Sequence, residues 1–291
     1  MGDIFIKIKR FYARGNVLTK LIFINVSVFL AVRLTLVAAT LFGVDDGGFI
    51  RYLQMPSLPG EFVRQPWTIL TYMFLHVDFI HILFNMLWMY WFGKIFLQFF
   101  NERHLGGIYV LGGIAGALMF MLSYNVFPYF REARHSLLMG ASASVMAVVF
   151  AVAFYRKSYE INLLLIGKVK LIYLALFTLL IDLLSITSGN AGGHIAHIGG
   201  ALFGILFAVQ FQKGKDLTAF VNRLIDRCVN LTRRRPRMKV TYRRPETDME
   251  YNARKQEEMK ELDAILDKLK RSGYESLSAD EKRALFNASR K

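Results

Sequence analysis

Residues 193–211 decide the fold: Gly193-His194-Ile195-Ala196-His197-Ile198-Gly199-Gly200-Ala201-Leu202-Phe203-Gly204-Ile205-Leu206-Phe207-Ala208-Val209-Gln210-Phe211. The stretch contains no Lys, Arg, Asp or Glu. An α-helix needs about 20 apolar residues to cross a hydrocarbon core roughly 30 Å thick, and this block has that length. Gly193, His197, Gly200 and Gly204 recur at intervals of four, three and four, which puts them on one helix face. Small residues on such a face let membrane helices approach closely.

Five more blocks of this kind precede it. They run from about Leu18 to Phe42, Val77 to Phe100, Leu105 to Val126, Leu138 to Tyr155 and Val169 to Ile186. The chain of 291 residues is 54% hydrophobic, with mean hydropathy +0.33, and the apolar residues are gathered in blocks rather than amphipathic stripes. An all-α polytopic membrane protein with six transmembrane helices is therefore expected. The first block is too long for a signal-peptide core and lacks a small-residue cleavage site, so it reads as an uncleaved span. Residues 43–76, rich in Gly, Pro and aromatics, form an interfacial insertion of irregular or short-helical structure.

The net charge is +15 and the pI near 9.9. Basic runs without aromatic platforms or readout motifs argue against nucleic acid, and the charge lies outside the apolar blocks. Lys7, Lys9, Arg10 and Arg14, then Lys94 and Arg103, then Arg156, Lys157, Lys168 and Lys170, then Lys213, Lys215, Arg223 and Arg227 all fall on one side of a six-span arrangement. By the positive-inside rule that side is cytoplasmic, with both termini there. The first loop, with Asp45, Asp46, Glu61 and Asp78 against Arg51 and Arg64, falls outside. The expected address is a multi-pass integral membrane protein, in a bacterial inner membrane.

Four regions follow: a basic N-terminus (1–17), the six-span domain (18–212), a basic juxtamembrane linker (213–247) and a C-terminal helical hairpin (248–291). Within the linker, residues 233–244 suit either a solvated connector or contact with anionic lipid headgroups. In the hairpin a polar helix with Ile265, Leu266 and Leu269 ends at Gly273, and Ser278 to Glu281 form a capping box that opens a second helix. Cys228, the single cysteine, can make neither an internal disulfide nor a zinc site alone.

Polar residues inside spans need a reason. His81 and Asn85 share one face of the second span, Ser142 and Ser144 open the fourth, and His194 and His197 open the sixth. All three spans enter from outside, which places His81, Asn85, Ser142 and His197 at similar depth. A hydroxyl, an imidazole base and further donors are the parts of acyl transfer. On residues alone, a transporter with a polar midplane site competes with a hydrolase. Ser144 lies two positions on and faces away from Ser142. Asp182 and Arg33 fall at comparable depth and are candidates for an ion pair. A metalloprotease helix of the form His-Glu-x-x-His is absent, and no cofactor or metal is expected.

The segments His81-Ile82-Leu83-Phe84-Asn85, Gly140-Ala141-Ser142 and Ala196-His197-Ile198-Gly199-Gly200 resemble, in order and on the second, fourth and sixth spans, the signatures of rhomboid intramembrane proteases. The lead-in from Pro66-Trp67-Thr68 to Phe74-Leu75-His76 is similar as well. The resemblance covers about residues 18–212 and implies a rhomboid-like bundle with a small cytoplasmic helical tail. It implies Ser142 as nucleophile, His197 as base in a dyad without a carboxylate, and an oxyanion hole of the Ser142 N–H, Asn85 and His81. Gly140, Gly200 and Gly204 would pack the helices around them. The implied substrates are transmembrane segments of other proteins, and membrane lipids are the other partners. Two residues depart from the family pattern: Ala143 stands where a glycine is usual, and Met146 where many members have an aromatic. A non-catalytic rhomboid-like protein that binds membrane-protein clients is the alternative, but such a binder has no physical need of both Ser142 and His197.

Overall fold

A computed structural model describes residues 12, 15–44, 47–163, 167–232 and 246–288. The basic run at 233–244, the lysines and arginines before residue 15, and Asp45 and Asp46 lie outside the described residues. The chain divides into two compact units, Met1–Arg233 and Arg234–Lys291.

The first unit is an α-helical bundle. Helix α1 (Val17–Leu41) begins at Asn16, whose side chain accepts from the Thr19 N–H. Three short helices follow, α2 (Gly47–Arg51), α3 (Pro59–Arg64) and α4 (Thr68–Thr71), with a 3₁₀ turn at Tyr72–Phe74. Helix α5 (Phe79–Phe96) is capped by Asp78, which accepts from the His81 N–H. Helix α6 (Glu102–Val126) opens on a capping box of Asn101 and His104. Next come α7 (Ser142–Tyr155), α8 (Leu171–Leu184), α9 (Ala191–Gln212) and α10 (Ala219–Thr232).

Among the described residues four helices, α1, α5, α6 and α9, are long and apolar enough to cross a membrane. The protein is an all-α polytopic integral membrane protein. The fourth and fifth blocks are shorter than their apolar lengths suggested: α7 and α8 have 14 residues each, about 21 Å of helix at 1.5 Å per residue. For α8 the reason is a β-hairpin, β3 (Glu160–Leu163) with β4 (Gly167–Lys170), which takes up residues assigned to the span. For α7 the reason is that the chain enters the bundle extended. Leu138 and Leu137 (β2) pair antiparallel with Met55 and Pro56 (β1) of the first loop, and Gly140 then turns at φ 123°, a region closed to residues with a Cβ. A 14-residue helix is sufficient here because α7 is wrapped by α5, α6, α8 and α9, and every residue from Ala143 to Ala153 is buried.

Hydrogen bonds fasten the first loop to this core. The Tyr109 hydroxyl on α6 donates to the Met73 carbonyl at 2.9 Å and accepts from the Asn25 amide of α1 at 3.0 Å. The neighbouring Tyr72 carbonyl accepts from the Gly140 N–H at 2.9 Å. Tyr109→Phe should cost about 1–3 kcal/mol of stability, because it leaves a buried carbonyl and a buried amide short of a partner. Thermal unfolding in detergent measures it, and an unchanged transition would mean the hydroxyl is not a tether.

In the second unit, α11 (Asp248–Ser272) opens on a capping box of Thr247 and Glu250 and stops at Gly273, φ 79°. Helix α12 (Ala279–Ala288) follows Ser278, whose hydroxyl and amide exchange bonds with Glu281. Lys268 on α11 reaches Glu281 at 2.9 Å.

Candidate functional site

Ser142 is the first residue of α7. Its N–H belongs to the turn whose amides have no intrahelical acceptor, at the positive end of the helix dipole. His81 and Asn85 come from the first turns of α5, and His197 from the second turn of α9. All four line one cavity of about 350 Å³ between α5, α7, α8 and α9. The structure thus brings together the four residues singled out from the sequence. Among the described residues no hydrogen bond joins Ser142 Oγ to His197; the two share the cavity wall.

Close helix contact makes this possible. A Cβ at Gly200 would lie 2.0 Å from the Ala143 carbonyl oxygen, and one at Gly204 2.4 Å from that of Ala147. On the other side of α7, Cβ atoms at Gly112 and Gly116 of α6 would fall 2.3 and 2.5 Å from the methyls of Ala147 and Ala143. The bare backbone at Gly116 is what receives the Ala143 methyl, the residue that departs from the family pattern. Met146 lines the cavity beside Ser142. Ser144 is buried and turned toward Gly113 of α6, and among the described residues its hydroxyl has no hydrogen-bond partner.

His76 was not singled out as a site residue. It is fully buried, and its Nε2 lies 3.3 Å from both the Ala141 N–H and the Asn85 amide. Two donors on Nε2 make it an acceptor, so the proton sits on Nδ1. Burial pushes this imidazole down to about 4, helped by nearby His81, and it stays neutral. The Asn85 amide is thereby shared between His76 and the His81 carbonyl at 3.0 Å. The only signal for His76 in the sequence was its place in the lead-in to α5.

Asp182 does not meet the partner that membrane depth suggested. Rather than pairing with Arg33, it accepts from Nδ1 of His194 at 2.8 Å and from Nδ1 of His197 at 2.9 Å, both on Oδ1. Arg33 sits on α1, which packs on α5 and α6. His197 therefore has a carboxylate neighbour, where the family resemblance implied a dyad without one. Asp182, His194 and His197 offer three ligand atoms within 4.8 Å of one another. Ligands on a tetrahedral zinc at 2.0–2.1 Å stand about 3.4 Å apart, and the 2.8 and 2.9 Å separations here are those of hydrogen bonds.

Fold and site together define a polytopic helical membrane protein with a serine, two histidines and an asparagine around a cavity between its helices. A family model described as the Rhomboid domain matches residues 63–213, more than half of the chain, and the chain belongs to the rhomboid family. A second model, described as a family of unknown function (DUF6576), matches residues 246–291. The chain is 26% identical over 158 residues to RHOMBOID-like protein 12, mitochondrial, of Arabidopsis thaliana. That alignment covers 51% of this chain and 47% of the relative, so the chain spans about half the length of the curated relative it matches.

Proposed function

We propose that the protein is an intramembrane serine endopeptidase that hydrolyses peptide bonds in or near transmembrane segments of other membrane proteins. The observation that supports this most is the meeting of Ser142 and His197 at one cavity with the start of α7. Ser142 Oγ attacks the scissile carbonyl carbon while its proton passes to His197 Nε2. Catalytic hydrogen bonds of this kind tighten when substrate is bound. The oxyanion is met by the Ser142 N–H, His81 and Asn85, the last by turning its amide from His76. Collapse expels the amine, which takes the proton from Nε2. Water then attacks the acyl ester, gives its proton to Nε2, and Oγ is restored as the acid leaves.

In this reading the site end of the bundle faces the exterior and both termini lie in the cytoplasm. Substrate enters between α5 and α8, and lipid surrounds the rest. A non-catalytic client-binding role is the other reading. Purified protein in liposomes with a single-span substrate distinguishes them: wild type should release two fragments and Ser142→Ala none. Equal cleavage by both would remove Ser142 as nucleophile, and no cleavage by either would favour the binder.

A further inference from the structure

We infer that Asp182 is a positioning residue for the base: it holds the His197 proton on Nδ1 so that the Nε2 lone pair is free for Ser142. The inference rests on the protease reading. An ionised carboxylate only accepts hydrogen bonds, so an imidazole 2.9 Å from Asp182 Oδ1 through Nδ1 must be the donor. The neutral ring carries one proton, and placing it on Nδ1 leaves Nε2 as the proton acceptor. The other tautomer presents an N–H to Ser142 and cannot act as a base.

The placement is built into the fold. Asp182 comes from α8, a helix whose other buried residues are Leu171 and Ala175, and its side chain is only 7% exposed beside α9. His194, one turn before His197, places a second Nδ1 on the same oxygen at 2.8 Å. With two donors converging on Oδ1, the carboxylate has its orientation fixed from α9. A buried carboxylate needs such partners, and α9 supplies both from its first two turns. When His197 takes the serine proton, the charge that develops lies next to Asp182, which stabilises it where little water competes.

The test is a graded series at one position. Asp182→Asn keeps an acceptor and removes the charge. Asp182→Leu removes both and suits an apolar environment, so folding is retained, which thermal unfolding checks. Turnover of a single-span substrate should fall in the order Asp, Asn, Leu, with the leucine variant down between roughly 10²- and 10⁴-fold in kcat, the range general-base catalysis contributes, and KM little changed. Nitrogen-15 NMR of histidine-labelled protein in detergent gives a readout that a merely structural aspartate would not move. His197, assigned by loss of its signals in His197→Gln, should be the Nδ1–H tautomer in wild type and shift toward Nε2–H in Asp182→Leu.

An unchanged tautomer in folded Asp182→Leu, or an unchanged kcat, overturns the role of Asp182 and leaves the protease reading intact. Activity that a chelator abolishes and zinc restores overturns the serine reading as well, because Asp182, His194 and His197 would then be metal ligands. If wild type fails to cleave the substrate and a fluorophosphonate fails to label Ser142, the protease reading has failed, and this inference with it.

Discussion

His197→Ala, Ser142→Ala and the double variant should all fall to one common floor of activity, with the double no worse than either single. The physical reason is that, in the proposed mechanism, hydroxyl and imidazole act as a unit. Without the base, Oγ keeps its proton; without Oγ, the base has nothing to deprotonate. Removing either member of such a unit costs roughly 10⁴–10⁶ in kcat, and the residue left comes from oxyanion donors and binding. Here those donors come from the α7 N-terminus and from α5, and neither depends on His197. Ser144→Ala should stay close to wild type, because Ser144 is buried toward α6 and away from the cavity. Single-turnover cleavage in liposomes at matched protein reads all four variants. Additive losses in the double variant would mean that Ser142 and His197 act separately, and the proposed proton transfer would fail.

Gly200→Ala should have the largest effect on folding. The added methyl would stand 2.0 Å from the Ala143 carbonyl oxygen and 2.8 Å from its carbonyl carbon, which are backbone atoms that cannot rotate away. Helices α7 and α9 would have to separate. That opens space along Ala143, Ala147 and Gly204, and it also withdraws His197 from Ser142. Overpacking a tight core costs typically 1–3 kcal/mol and more where the backbone is the obstacle. Loss of both stability and activity is expected, with a lower unfolding temperature in detergent. Gly60→Ala, on α3 with nothing within 4 Å of its added methyl, is the matched control and should behave as wild type. If Gly200→Ala matches Gly60→Ala, the α7–α9 approach is looser than described.

Both expectations draw on features that differ in how far a linear sequence carries them. Length and apolarity set the positions of α1, α5, α6 and α9, because a bilayer demands about 20 apolar residues whatever the neighbours are. Helix spacing put Gly193, His197, Gly200 and Gly204 on one face, and the polar residues stood out because hydrocarbon makes each of them costly. Ser142, His197, His81 and Asn85 were legible for that reason.

Contacts between elements distant along the chain were not legible. The start of α7 at Ser142 instead of Leu138 depends on the pairing of residues 137–138 with 55–56, and hydropathy cannot distinguish an extended apolar segment inside a bundle from a helical one. The neutral, Nδ1-protonated state of His76 follows from two donors, on α5 and at Ala141, converging on one nitrogen. The partner of Asp182 differs from the one depth suggests, because similar depth in a membrane leaves the angular position around the bundle open. Depth pointed to Arg33, and only the packing of α8 against α9 brings His194 and His197 to Asp182. Residue order and hydropathy alone imply a polytopic helical bundle with a serine, an imidazole and further donors at one level. Which imidazole nitrogen meets which oxygen is set by the packing of the helices, because hydrogen bonds act over about 3 Å while the periodicity of a helix specifies only a face.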